Sequence, residues 1–288
     1  YNVYFNGDQA LKSGIKHMEN RHKEDYTHLL PVFVSNDEQT RSICSSDMDY
    51  VIEKAAKAID KHSITAKPRR RKNKDSKNYQ TFRKKKEFNN QLDKCYLLLG
   101  KAYFYKKKYT MANNTFRFIQ RQYAEDEALM TEVSIWLFRS LTEMGRYEEA
   151  ARIMDRLDGS TLKRKQREMV AAARTDFYVR QGMYEQAIPE AERLVRTCKS
   201  IKRKPRYNFL LSQLYVKENQ DGAAKLALKK ATRFNFNYEM VFNARIGMAS
   251  AYQEGDAAVE KKLKKMLRDS RNEVQSLSTN MHPSDLSS

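Results

Sequence analysis

Glycine and proline are scarce in this chain, at nine and five of 288 residues. A protein built of strands and tight turns uses more of both. Lysine, glutamate, alanine, leucine and arginine dominate instead, which favours helix. No stretch approaches eighteen consecutive apolar residues, so the sequence offers no membrane-spanning helix. The three cysteines, Cys44, Cys95 and Cys198, form neither a CxxC nor a zinc spacing, and their odd number excludes complete pairing within one chain. They read as small buried or surface thiols. Five histidines are present, and His17 and His22 lie five apart on one expected helix. That spacing points them to different faces, whereas a helical metal pair needs three or four. The phosphate-cradling GxxxxGK[ST] and GxGxxG, the nucleophile elbow GxSxG and the zinc motif HExxH are all missing. Glu148 and Glu149 are adjacent acids at a helix start, where they suit the helix dipole. No nucleophile–base pair can be placed. The chain therefore reads as a non-enzyme, with no metal, cofactor or small-molecule substrate.

Charge is plentiful and uneven. The net charge is +19, and the stretch 67–86 alone carries eleven basic residues against the single acid Asp75. Lys67, Arg69, Arg70, Arg71, Lys72, Lys74, Arg83, Lys84, Lys85 and Lys86 define this tract. It has no apolar periodicity and its like charges repel, so residues 63–88 read as a flexible basic linker or loop. Tyr79 and Phe82 within it are compatible with single-stranded nucleic acid, which makes nucleic-acid binding by a cytoplasmic protein the alternative function.

Residues 1–62 form an N-terminal helical region. The run YNVYFNG closes at Asn6-Gly7 and is too short for a strand. Asp8 then reads as an N-cap, with a helix from Gln9 to Arg21 whose Leu11, Ile15 and Met18 share a face. HLLPVF is an extended apolar segment, ended by the polar SNDEQT. A second helix is expected from Ser46 or Asp47 to about Lys61, with Met48, Val51, Ile52, Ala55, Ala58 and Ile59 on its stripe.

From residue 89 a period sets in. Tyr109, Tyr147, Tyr184 and Asp221 recur at intervals of 38, 37 and 37, and Ala112, Ala150, Ala187 and Ala224 repeat with them. Gly145 and Gly182 stand two residues before their tyrosines. In the first unit Tyr96, Leu99, Gly100 and Tyr103, followed by Ala112 and Phe116, match the tetratricopeptide (TPR) pattern W-x2-L-G-x2-Y…A-x3-F, with Tyr in place of Trp. One such hairpin cannot bury its own apolar face, so neighbours are required. The expectation is an all-α TPR solenoid over 89–270, of about four and a half to five repeats, with an N-terminal helical extension and a disordered tail at 271–288. In the second unit Phe138 replaces the small crossing residue, so its packing must differ. Pro189 lies inside a helix, where it removes a hydrogen bond and is expected to kink it. A fifth pair is expected at Tyr238–Glu254 and Asp256–Asp269.

A TPR array offers a groove lined by the first helix of each repeat. The register puts Lys94, Leu97, Lys101, Arg139, Arg206, Phe209 and Gln213 there, a basic set suited to an acidic or carboxylate-bearing peptide. Several phrases are more particular: YNVYFNGDQALKSGI, HKEDYTHLLPVF, SDMDYVIEKAAKAIDKHSI, KPRRRK, YLLLGKAYFYKKKY, FNARIGMASAYQ and KKLKKMLRDS. Together they resemble, in collinear order over roughly residues 1–270, the SprE/PorW family of TPR lipoproteins of the Bacteroidetes type IX secretion system, which is also linked to gliding motility. YFNG and LLPVF are the most specific, because generic repeats have no reason to carry them. The resemblance implies an outer-membrane lipoprotein on the periplasmic side, anchored through a lipidated cysteine upstream of this chain. It implies a scaffold joining ring and motor components to the translocon through protein–protein contacts.

Overall fold

In the computed structural model, residues 2–36, 40–66, 87–157, 162–233 and 237–250 are described. The described residues form α-helices and one short 3-10 turn, with no strand. The chain divides into two compact units, Tyr1–Lys199 and Ser200–Ser288. The first contains α1 (Asn2–Arg21), the 3-10 turn Val34–Asn36, α2 (Thr40–His62), α3 (Leu92–Tyr105), α4 (Tyr109–Gln122), α5 (Glu127–Glu143), α6 (Tyr147–Met154), α7 (Arg164–Arg180) and α8 (Tyr184–Thr197). The second contains α9 (Arg203–Lys217), α10 (Asp221–Ala231) and α11 (Tyr238–Ser250). The basic tract, the expected helix 256–269 and the C-terminal tail lie outside the described residues.

The repeat is written into the backbone turn. The amides of Lys108, Arg146, Met183 and Gln220 donate to the carbonyls of Tyr103, Leu141, Tyr178 and Tyr215. Each bond spans five residues and closes a Schellman-type helix end. Such a turn requires one left-handed residue, and the structure has one each time: Lys107 (φ 55°), Gly145 (69°), Gly182 (71°) and Asn219 (56°). Immediately afterwards Ala112, Ala150, Ala187 and Ala224 donate the first bonds of the following helix, to Lys108, Arg146, Met183 and Gln220. The four units are thus the same hairpin, in the register that the sequence period gives.

Side chains at the crossing differ in a compensating way. A methyl group on Gly100 would meet Cδ1 and Cζ of Phe116 at 2.9 and 3.0 Å, with Cε1 nearer still. Glycine there lets the fully buried Phe116 ring fill the gap between α3 and α4. In the second unit the large residue moves to the other helix: Phe138 is fully buried and tilts onto Phe177, with ring centres 5.5 Å apart. The helix facing it, α6, has only eight residues. Arg174 of α7 caps its end, donating to the carbonyls of Met154 and Leu157 at 3.1 and 3.2 Å. The Met154 carbonyl also accepts the Leu157 amide at 3.1 Å, and a guanidinium suits the negative dipole end of the helix. Pro189 sits inside α8, which continues unbroken from Tyr184 to Thr197.

The N-terminal region departs from expectation in two places. Residues 2–7 are not a separate aromatic run; α1 begins at Asn2. Asn6-Gly7 is no turn, because Gly7 is where α1 approaches α3: a methyl there would meet Leu98 Cδ2 at 2.8 Å. Gly14, two helical turns on and so on the same face, plays the same part against α2, with Asp47 Cβ at 2.8 Å from the added carbon. Helix α2 begins at Thr40, six residues before the expected start. Thr40, Cys44, Met48 and Val51 are a single buried stripe, and the Thr40 hydroxyl donates to the Ser35 carbonyl at 3.3 Å. Leu11, Met18, Cys44, Met48 and Val51 close over Leu98 and Ala102 of α3. The α1–α2 hairpin is therefore stacked on the first repeat.

The two ends of the basic tract are clasped together. Glu87 Oε1 accepts the amides of Ile64, Phe88 and Asn89 at 2.8, 2.9 and 2.8 Å, and its Oε2 accepts the Ser63 hydroxyl at 2.6 Å. The Asn89 side chain donates to the His62 carbonyl, and the Phe88 amide to that of Ile64. Although burial opposes ionisation of Glu87, the four donors hold its pKa below the usual carboxylate value.

Candidate protein-binding face

The first helix of each repeat carries the candidate residues. On α3, Lys94 is exposed and Lys101 is half-buried. Lys101 Nζ lies 2.6 Å from Glu132 Oε1 and 5.5 Å from the centre of the Trp136 ring. Leu97 is buried in the core with Phe104, Phe116 and Trp136, so it supports the helix instead of presenting surface. Arg139 on α5 is also buried, at 5% exposure. Its guanidinium lies 3.8 Å from the ring centre of Phe33, 4.7 Å from Phe104 and 4.5 Å from Trp136. A planar, weakly hydrated guanidinium tolerates this stacking where an ammonium would not. In the second unit, Arg206 and Gln213 are half-buried on α9 and Phe209 is buried. Leu97, Arg139 and Phe209 are thus not open groove residues. Apolar positions at this point of the repeat bury themselves, and Phe33 lies over Arg139. Of the seven, the structure brings Lys101 and Arg139 together, around Trp136.

Beside Arg139 stands a polar network that the sequence-derived set lacks. Arg180 donates from Nη2 to Glu143 at 2.8 Å and from Nε to Asp176 at 3.0 Å. Glu143 also accepts a hydrogen bond from the Tyr109 side chain. Asp176 is 6% exposed. Burial, reinforced by the Glu143 charge, raises its pKa to about 6 against the opposing pull of Arg180 and Arg139. The Tyr109 hydroxyl is shifted up by burial and by Glu143, and the opposed acids hold Arg180 in its charged form despite burial. The period contained these positions: Asp176 follows Arg139 by one repeat of 37 residues, and Arg180 follows Glu143 likewise.

The cysteines are all buried, and none is in a disulfide. Burial pushes the Cys95 thiol up to about 11, and that of Cys44 upward as well, so neither is a poised nucleophile. Among the described residues no group of His, Cys, Asp and Glu is arranged to hold a metal ion, and no helix is long and apolar enough to cross a membrane.

Comparison with known families agrees with the hairpin geometry. The profile of the tetratricopeptide repeat matches residues 205–238, which is α9, α10 and the approach to α11. The fold is all-α and of the tetratricopeptide-repeat type. The unmatched hairpins of the first unit carry the same turn, the first with Gly100 at the crossing and the second with Phe138 there. No curated protein matches the chain by sequence. A TPR fold suggests a scaffold for protein–protein interaction, and TPR proteins are in general non-catalytic.

Proposed function

We propose that the chain is a structural adaptor of type IX protein secretion and gliding motility, held on the periplasmic side of the outer membrane as part of a lipoprotein. It links ring and motor components with the translocon through protein–protein contacts. The observation that carries this reading is where the two distinctive phrases fall. YFNG supplies the first turns of α1 and Gly7, its close approach to α3. LLPVF supplies the segment that lies on Arg139. Both phrases resemble the SprE/PorW family, and both build what a generic TPR hairpin lacks. Affinity capture from a Bacteroidetes envelope, with the folded chain as bait, is expected to recover ring, motor or translocon subunits. Recovery of none of them with intact bait sinks the reading.

A further inference from the structure

Between α1 and α2 the chain lies against the first helices of the first two repeats, α3 and α5. Leu30 and Val32 are 1% and 2% exposed. Phe33 packs on the cluster of Phe104, Trp136 and Leu137, and Val34 on that of Leu11 and Met48. Residues 29–34, LLPVFV, carry no charge, and Pro31 favours an extended backbone at Leu30. An apolar segment thus lies against α3 and α5, bends at Val32 and Phe33 before the 3-10 turn, and stacks its one aromatic ring on Arg139 at 3.8 Å. This is how a bound peptide would sit.

The fit is incomplete in a specific way. Arg139 Nε and Trp136 Nε1 are both buried and both lack a hydrogen-bond acceptor. The two residues are one helical turn apart on α5, and the Arg139 guanidinium lies 4.5 Å from the Trp136 ring. A buried donor without an acceptor costs free energy that a better occupant recovers. The segment's aromatic ring satisfies the face of the guanidinium, and the Tyr105 hydroxyl engages another of its N–H groups, which leaves Nε without an acceptor.

We propose that the cleft formed by Arg139, Trp136 and Phe104 is a docking site for an extended partner segment bearing an aromatic ring beside a carboxylate, and that Leu30–Phe33 occupies it in the partner's absence. The aromatic ring takes the place of Phe33. The carboxylate supplies the acceptor that the resident segment lacks, in a charge-assisted bond. The resident segment competes at the high effective concentration of a tethered ligand, so the apparent affinity of the intact chain is reduced by the fraction of time that the cleft stands open. This inference rests on the scaffold reading and names the chemistry of one partner contact.

The test uses fluorescein-labelled peptides with the sequence HLLPVFVSN, with Val34→Asp in that peptide, and with Phe33→Ala in it. Each is titrated by anisotropy against the intact chain and against its Phe33→Ala variant. The variant is expected to bind the parent peptide about tenfold more tightly than the intact chain does. The Val34→Asp peptide is expected to bind more tightly still, and the Phe33→Ala peptide at least tenfold more weakly than the parent. Trp136 emission should move with occupancy. Equal binding of all three peptides, or none to a folded variant, overturns the proposal. Should Phe33→Ala not fold, hydrogen exchange on the intact chain decides. The Val32–Val34 amides are expected to exchange well before those of α5, and exchange of both only on global unfolding overturns the proposal. Capture of secretion subunits alongside failed peptide binding removes the cleft and leaves the adaptor. Peptide binding with an empty capture does the reverse.

Discussion

Alanine at position 100 should destabilise the first unit, although the same change in an exposed helix would stabilise it. Two effects oppose each other. Replacing glycine by alanine in a helix interior gains about 1 kcal/mol in propensity. At Gly100 the added methyl falls within 3.0 Å of the Phe116 ring. That ring is fully buried and stacks on Trp136 at a centre-to-centre distance of 6.4 Å, so it has nowhere to retreat. Forcing one carbon into a filled core costs about 1–3 kcal/mol and more when a rigid ring must shift. The expected balance is a net loss of about 1–2 kcal/mol. Trp136 is the only tryptophan and sits in the affected cluster, so its emission in a urea titration reports on this unit directly. Gly222 in α10 is the control, because nothing lies within 4 Å of a methyl there. Gly222→Ala should stabilise the second unit by up to about 1 kcal/mol, read by helix ellipticity. Combining Gly100→Ala with Phe116→Leu should cost less than the two changes added, with a coupling of at least about 0.5 kcal/mol. A Gly100→Ala chain as stable as the parent would refute the close-approach argument.

Further expectations concern charge and turns. The raised Asp176 binds its proton near pH 6 when folded and near 3.9 when unfolded. Its contribution therefore falls as pH rises from about 4 to 6, by about 2–3 kcal/mol. Relative to Asp176→Asn, the parent should lose stability over that window in parallel thermal melts, and a flat difference would remove the burial argument. The lowered Glu87 acts in the opposite sense, since its stabilisation is present above the unfolded pKa and is lost as pH falls through its folded value. Glu87→Ala should speed exchange of the Ile64 and Asn89 amides at least tenfold by removing their acceptor, and that of Phe88 less, because it also donates to the Ile64 carbonyl, whereas Glu87→Gln, which keeps an acceptor oxygen, should do much less. At the left-handed turn positions, Lys107→Gly should stabilise by about 1 kcal/mol and Gly145→Ala should destabilise by a similar amount, measured as chemical-denaturation midpoints.

The hairpins were legible because their turn is local. Gly145 and Gly182 followed by Tyr and Ala at fixed offsets state both the left-handed residue and the start of the next helix, and the hydrogen bonds repeat that register four times. Gly100 with Phe116 was legible for the same reason. The inner face was less so. Leu97 and Phe209 obey the register yet face the core, because helical spacing fixes a direction and not what lies in it. The burial of Arg139 depends on Phe33, more than a hundred residues away in sequence, and no period reaches that far. Asp176 and Arg180 follow Arg139 and Glu143 by one period, but a period states spacing and not which charges are buried together. The early starts of α1 and α2 were hidden by residues that look like breakers. Gly7 reads as the close of a short run until its seven-residue spacing from Gly14, inside the expected helix, is seen as a seam for close packing. Thr40 reads as loop until it joins the Cys44, Met48 and Val51 stripe.

The clasp at Glu87 has a consequence for the chain's history as well as its stability. It joins Ile64 to Phe88 and Asn89, so the entropy of closing the intervening segment is met at one anchored point of the first unit. Doubling the length of such a segment adds only about 0.6 kcal/mol. The helices on either side are thereby shielded from what is threaded between them. Insertions, deletions and wholesale changes of charge can accumulate there while the repeats keep their register, which makes this the position where the scaffold can acquire a new attachment without being rebuilt.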